Sequence, residues 1–378
     1  MLGEPAPFSF SSSCDEPLAM SAFHLDPKHE AEIRNALLIA EDLREKRRVW
    51  RGRPFHVEIS TNNACNLSCV MCERPDLDFI QPSLFESIAG DLFPAASVVT
   101  PSATSEPAMG DFDAIVDHCE RHDLKLNMIT NGNLITDRHI ERLRGRLYRV
   151  DFSMDSHIPS VYEEIRVGGS HARMLAGLRR LVRLQQEEGF RLTIVVVLMR
   201  QNLTTLDALL SFARAEGVKN VRVQKLLPFF SNPERFHVEE HFTPEEIRHH
   251  LDRARRAADR EGVHLILDLD PRMTTAGPSV EARNLSAPMV MEALFDAITA
   301  RNPGFCYQLA SYVRIIPNGN LYPCCRGWKE TLRMGNVNDD SASDIWNGAA
   351  YMELREQFFG GKLNERCRTC TLSGQGSL

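Results

Sequence analysis

Between residue 55 and about 268, short apolar runs alternate with stretches whose apolar positions recur every three or four residues. The runs Phe55–Ser60, Ser97–Thr100, Leu124–Thr130, Arg149–Met154, Leu192–Met199, Val221–Leu226 and Val263–Asp268 read as strands. Several, such as Ile194-Val195-Val196-Val197, are β-branched with little alternation. That pattern suits strands of a parallel sheet, buried on both faces. Helices are expected between them. Phe112, Ile115, Val116 and Cys119 share one helical face, and Leu206, Leu209, Leu210 and Ala213 share another that stops at Gly217. Thr243-Pro244-Glu245-Glu246 is a capping box with Pro at the first helical position; Ile247, Leu251, Ala254 and Ala258 then line one face up to Gly262. Repeated β–α units predict an α/β fold with a parallel sheet. Six or seven units fit a barrel, closed or partial, better than a small doubly wound sheet.

The flanks read differently. Residues 1–25 are rich in Ser and Pro and read as a tail. Ile33, Leu37, Ala40 and Leu43 place an amphipathic helix over 29–45. Arg44 to Arg53 holds six basic residues and one Glu, a solvated face in the first reading and a site for an acidic partner in the second. Residues 270–300 read as a connector. Beyond 301, Tyr312–Ile316, Pro317-Asn318-Gly319-Asn320 and Leu321-Tyr322 predict a β-hairpin, and a short helix over 350–359 precedes Gly360-Gly361. The division expected is 1–50 tail and helix, 51–270 barrel, 271–300 connector and 301–378 a small α+β domain.

Composition narrows the function classes. The 378 residues are 43% hydrophobic and 25% charged, with net charge −7, which fits a globular chain and argues against a nucleic-acid-coating role. No apolar run reaches the ~18 residues of a membrane span. Met1-Leu2-Gly3-Glu4-Pro5 lacks the basic start and apolar stretch of a secretory signal, so a cytoplasmic location is expected. In that compartment clustered cysteines are metal ligands or catalytic groups more often than disulfides.

The ten cysteines fall into two sets and two singletons. Cys65, Cys69 and Cys72 form C-x₃-C-x₂-C directly after the first strand, at the strand end where barrel active sites sit. Three thiolates on a cubane leave one iron open to a non-protein ligand. A zinc site would pair C-x₂-C with a second pair or with His, and a redox C-x-x-C of Cys69 and Cys72 would leave Cys65 unused. Iron–sulfur is the favoured reading. The second set is Cys306, Cys324, Cys325, Cys367 and Cys370, with Gly319–Cys324 spaced as G-x₄-C and Cys367–Cys370 as C-x₂-C. Four thiolates there suit a fully ligated cluster or a structural zinc equally well. Cys119 reads as core, Cys14 as part of the tail. His249 and His250 are adjacent on a helix and do not share a face.

The first motif, C-x₃-C-x-φ-C with Met71 at φ, resembles that of the radical SAM superfamily, and further matches follow in order. Thr104-Ser105-Glu106-Pro107 resembles the family's Gly-Gly-Glu-Pro element, with Ser105 and Thr104 in place of the glycines. Thr130-Asn131-Gly132, Ser153-Met154-Asp155 and Ile165-Arg166-Val167-Gly168-Gly169 are similar to later elements. The resemblance implies that Cys65, Cys69 and Cys72 hold a [4Fe–4S] cluster whose open iron binds S-adenosylmethionine. By the same resemblance Glu106 meets the amino group of the methionine moiety, and Met71, Asn131, Ser153 and Asp155 line its site. Arg166 reaches the carboxylate, which a guanidinium recognises bidentately. Val223 and Leu226 flank adenine or simply pack in the core, and Asn202 caps a loop.

The second set resembles the twitch domain, a shortened SPASM domain. It implies one auxiliary [4Fe–4S] cluster on Cys306, Cys324, Cys367 and Cys370, since no cysteine lies between 325 and 367. Cys325 is then a spare thiol, a substitute ligand, or a catalytic hydrogen donor. The expected whole is a partial (β/α)6 TIM-like barrel with a C-terminal iron–sulfur domain. It would cleave S-adenosylmethionine reductively and take a hydrogen from substrate, with a flavodoxin or ferredoxin as reductant. Oxidation of a secondary alcohol in a sugar or aminocyclitol-like metabolite is the first expectation. Epimerisation of a sugar or peptide and peptide cross-linking follow, and a non-enzymatic zinc-stabilised binding protein is last. The short stretch before the barrel is the ground for preferring a small molecule to a peptide.

Overall fold

The computed structural model describes residues 27–72, 77–102, 105–226, 233–269, 305–325, 332–368 and 370. The readings of the Ser-rich tail, Cys14, Thr104 and the 270–300 connector lie outside them. In chain order the elements are α1 (Pro27–Arg44), β1 (His56–Ile59), α2 (Pro82–Leu92), β2 (Val98–Thr100), α3 (Phe112–Arg121), β3 (Lys125–Thr130), α4 (Asp137–Leu143), β4 (Leu147–Ser153), α5 (Pro159–Ile165), α6 (His171–Glu188), β5 (Arg191–Leu198), α7 (Leu206–Ala215), β6 (Asn220–Lys225), α8 (Pro233–Phe236), α9 (Pro244–Glu261) and β7 (His264–Asp268). There follow α10 (Tyr307–Ser311), β8 (Tyr312–Ile315), β9 (Asn320–Tyr322), β10 (Gly335–Asn336), α11 (Ala342–Trp346), α12 (Ala349–Phe359) and α13 (Glu365–Arg368).

Strands β1 to β7 lie side by side in sequence order, each parallel to the next. The first and seventh do not pair, so the barrel is partial. One face of the sheet packs on helices through Val57, Val99, Met128, Val150, Ile194 and Val223, which meet Ile115, Leu178, Leu209 and Leu251 in a single core. Burial on both faces, which the β-branched runs predicted, holds only in part. Val195 and Val197 of β5 are half-buried, because their face lines the barrel interior rather than a second helix layer. That interior face is polar. Asn127 donates to the Thr100 hydroxyl at 3.0 Å, and Arg149 grips Asp151 with two bonds of 2.8 Å.

The hairpin does not stand apart from the barrel. Strand β8 runs parallel to β1, so β9 and β10 extend the same sheet beyond it. Glu58 and Arg314 are register partners across this seam, and both are buried. Arg314 Nε lies 3.0 Å from Glu58 Oε1, and the Tyr312 hydroxyl donates to Glu58 Oε2. The turn before β9 requires glycine: Gly319 has φ +85°, and a Cβ there would sit 2.3 Å from Asn338 Nδ2.

Helix α9 carries the expected capping box, with Thr243 and Glu246 exchanging bonds of 3.2 and 2.7 Å, and Gly262 closes it in the left-handed conformation. The basic stretch after α1 is occupied within the chain. Arg51 pairs with Glu41 and Asp42, Arg47 with Glu45 and Asp42, Arg48 with Glu356, and Arg53 with Asp91. Among the described residues no helix is long and apolar enough to cross a membrane.

Candidate active site

The 65–72 loop leaves the C-terminal end of β1 and is held by backbone bonds to two neighbouring segments. Glu106 N donates to Ala64 O at 3.0 Å on one side. On the other, Ser68 N donates to Val167 O at 2.7 Å and Val70 N to Ile165 O at 2.9 Å. Met71 is the apolar anchor, buried against Ile165, Met199, Leu226 and Phe236. Val223 belongs to the helix-facing core instead.

Glu106 is 1% exposed. Its Oε1 accepts from the Thr130 hydroxyl and its Oε2 from Asn131 N, each at 2.8 Å. Burial pushes this carboxyl up to about 7, against the opposing pull of those bonds. The Asn131 side chain turns toward the cysteine loop, with Nδ2 3.8 Å from Cys65 Sγ and 2.9 Å from Asn66 Oδ1. The turn that positions Asn131 needs Gly132, which has φ +76° and whose Cβ would meet the Phe152 ring at 2.4 Å.

Facing this, Arg166 and Asp155 form a buried ion pair at 2.8 Å, and Arg166 Nη1 lies 3.8 Å from Cys69 Sγ. Asp155 is completely buried, with its other oxygen accepting from Val197 N at 2.8 Å. Burial holds its carboxyl above the ordinary range. For Arg166 burial opposes the charge, but the facing Asp155 carboxylate keeps the guanidinium above its usual value. Ser153 sits half-buried two residues before Asp155 on β4, in register with Val195.

Burial pushes the Cys69 thiol up to about 11; Arg166 pulls it down, and Cys72 and Cys65 are close enough to add to the rise. Thus Cys65, Cys69, Glu106, Asn131, Asp155 and Arg166 share one neighbourhood, with Ser153 and Met71 at its margins. Asn133 and Tyr162 also belong to it, though their residue types gave no signal in the sequence. Asn133 Nδ2 donates to the Tyr162 hydroxyl at 2.7 Å and to Asn131 O at 3.2 Å, while its Oδ1 accepts from Ser170 N at 2.8 Å. Asn202 is buried and bridges Asp155 O and Val197 O at 3.1 and 2.9 Å, so its role is to hold the loop.

The second cysteine set flanks the hairpin in sequence. Cys306 is the N-cap of α10, and burial pushes its thiol up to about 11, with Cys370 and Cys367 near enough to contribute. Cys324 and Cys325 follow β9, and both lie near Arg314. Arg314 Nη1 holds the Cys325 carbonyl at 3.1 Å.

Among the described residues no three His, Cys, Asp or Glu side chains converge on a point that would hold a single ion. The donor chemistry nonetheless fits cubane clusters, because each thiolate of a cubane binds a different iron and the ligands surround a volume rather than a point.

Comparison with known proteins bears on the fold and on the C-terminal region. Residues 306–371 match the SPASM iron–sulfur cluster-binding domain. The chain is 23% identical over 269 residues to the PqqA peptide cyclase of Granulibacter bethesdensis, covering 69% of this chain and 63% of that protein, so the match spans under two thirds of the relative. The fold is shared with Streptococcus suis SuiB bound to S-adenosylmethionine, at TM-score 0.61 and 16% identity over 90% of this chain and 76% of that one. It is shared also with anSMEcpe bound to AdoMet and the Cp18Cys peptide, at TM-score 0.58 and 15% identity over 84% and 87%. Residues 306–371 thus carry a SPASM-type iron–sulfur cluster-binding domain, and the chain as a whole shares the fold of proteins solved with S-adenosylmethionine bound.

Proposed function

We propose that this chain binds S-adenosylmethionine between Glu106 and Arg166, over a cluster held by Cys65, Cys69 and Cys72, and uses it to take a hydrogen from a peptide. The observation that carries the first part is the placement of a buried acid and a buried guanidinium on either side of the cysteine loop. Cys65, Cys69 and Cys72 would hold a [4Fe–4S] cluster on that loop, which would supply the electron for reductive cleavage of S-adenosylmethionine, with a flavodoxin- or ferredoxin-type protein as its donor. The chain's own residues bind and shield. Glu106 presents a carboxylate to the ammonium group, and Arg166 presents a fork to the carboxylate. Asn131 bridges the acid and Cys65, and Met71 seals the loop against the barrel. Cys306, Cys324, Cys367 and Cys370 hold one auxiliary cluster, and Cys325 is left over.

A peptide substrate is favoured because the proteins that resemble this chain are named for peptides: PqqA peptide cyclase, SuiB bound to precursor peptide SuiA, and anSMEcpe with the Cp18Cys peptide. This replaces the secondary-alcohol expectation as the first choice. The test is hydrogen transfer from perdeuterated pools. Protein and a peptide pool should yield 5′-deoxyadenosine one mass unit heavier, and a pool of sugars and aminocyclitols should not. Label arriving from the sugars alone would contradict the peptide reading. Product formed in deuterium oxide separates the outcomes. Oxidation or cross-linking gives a loss of two hydrogens without label. Epimerisation gives an isomer carrying deuterium, which Cys325→Ala would stall.

Glu106 makes the binding step dependent on pH. Its folded pKa of about 7 lies above the ordinary 4.5, so the folded chain binds the extra proton in that interval and burial of this group costs stability as pH rises through it. The ammonium group pairs with the carboxylate form only. Affinity for S-adenosylmethionine should therefore be flat above pH 7 and weaken by up to about tenfold per unit below it. Titration calorimetry from pH 5.5 to 8 checks this, and the dependence should vanish in Glu106→Gln, which binds weakly throughout.

A further inference from the structure

A buried guanidinium joins the C-terminal hairpin to the barrel. Arg314 on β8 is 2% exposed, and its register partner Glu58 on β1 is 3% exposed. Arg314 Nε lies 3.0 Å from Glu58 Oε1, while Glu58 Oε2 accepts from the Tyr312 hydroxyl. The His56 ring stands edge-on to the Tyr312 ring at 5.0 Å, which packs that donor in place. An ion pair shut away from water stabilises a fold no better than apolar side chains of similar volume. Closing the sheet therefore does not account for a guanidinium here. Its other arm does what an apolar side chain cannot: Nη1 donates to the Cys325 carbonyl at 3.1 Å. That carbonyl lies beyond the last register pair of the hairpin, Arg314 with Tyr322, where the β8–β9 ladder no longer supplies a donor.

The topology gives this bond a place. Cys306 leads through α10 directly into β8, and β9 runs antiparallel to β8, so the chain leaving β9 returns toward the end of β8 at which Cys306 lies. Arg314 thus holds the Cys324–Cys325 main chain to the same strand that Cys306 introduces. We propose that Arg314 is a positioning residue for the auxiliary site: anchored to the barrel by Glu58, it fixes the path of the Cys324–Cys325 segment, and with it the Cys324 thiol, before a cluster binds. The proposal rests on the reading that Cys306, Cys324, Cys367 and Cys370 bind a cluster, and it assigns Arg314 no contact with that cluster. Groups that orient ligands from outside commonly set metal affinity by tenfold or more.

The test uses the full chain with Cys65, Cys69 and Cys72 replaced by Ala, which keeps only the auxiliary cluster, with and without Arg314→Lys. A lysine keeps a cation beside Glu58 but lacks the fork that serves the acid and the carbonyl together. The chelator concentration that strips half of the iron should fall about tenfold in R314K. Glu58→Gln combined with Arg314→Met leaves no lone buried charge and should show the same fall, which keeps the test open if R314K does not fold. Leu209→Ala is the control for general loss of stability, because it opens the helix-facing core at a fully buried position on α7. It should lower the urea midpoint of the metal-free protein and leave iron retention unchanged. An equal loss of retention in Leu209→Ala, or parental retention in a folded Arg314 variant, overturns the Arg314 proposal alone. Absence of iron from the parent triple variant overturns the four-cysteine reading and the Arg314 proposal with it.

Discussion

Replacing Cys65, Cys69 and Cys72 together by Ala is expected to leave a folded chain with roughly half its iron, because a three-cysteine and a four-cysteine cluster are independent sites. The loop should keep its path without the thiols. It is pinned by main-chain bonds from Glu106, Ser68 and Val70, and by Met71 in its apolar pocket, none of which the substitutions touch. Iron and sulfide analysis of anaerobically prepared protein, with circular dichroism as the control for folding, checks the outcome. Loss of all iron from a folded variant would argue for a single cluster.

Arg166→Met should be the most destabilising single change at the site. The Asp155–Arg166 pair is shut away from water, and Asp155 already carries a burial penalty that the guanidinium offsets. Removing one partner of a buried pair costs about 3–5 kcal/mol, since the other is left uncompensated. The urea midpoint of the metal-free protein should fall accordingly. Asp155→Asn combined with Arg166→Met should recover part of the loss, because no buried charge then remains. A single variant as stable as the parent would mean that the pair is dispensable to the fold.

The parts of this molecule that were legible in its sequence are those governed by local rules. The β-branched run around Ile194 and the capping box at Thr243 fix their elements through side-chain sterics and neighbouring hydrogen bonds, and both lie where the pattern placed them. Glu106, Asn131, Asp155 and Arg166 were named by the family resemblance rather than by local rules, and parallel strands bring the loops that carry them to one rim. What local rules do not carry is long-range register. Glu58 in a short strand gives no hint that Arg314, far along the chain, will be its cross-strand partner, and the union of the hairpin with the barrel sheet depends on that pairing. Half-burial of Val195 and Val197 was missed for a related reason: the sequence shows apolar side chains but not whether a second layer covers them. Asn133 and Tyr162 are ordinary residue types whose importance comes only from the buried bond between them.

The most direct test of the central claim is to reconstitute the full chain anaerobically with iron and sulfide, reduce it in the presence of S-adenosylmethionine, and quantify 5′-deoxyadenosine and methionine by chromatography. The account predicts both products in equal amounts, dependent on reductant and lost when Cys65, Cys69 and Cys72 are replaced. A fully iron-loaded, folded wild-type chain that forms neither, or a triple variant that forms them at the wild-type rate, would contradict it.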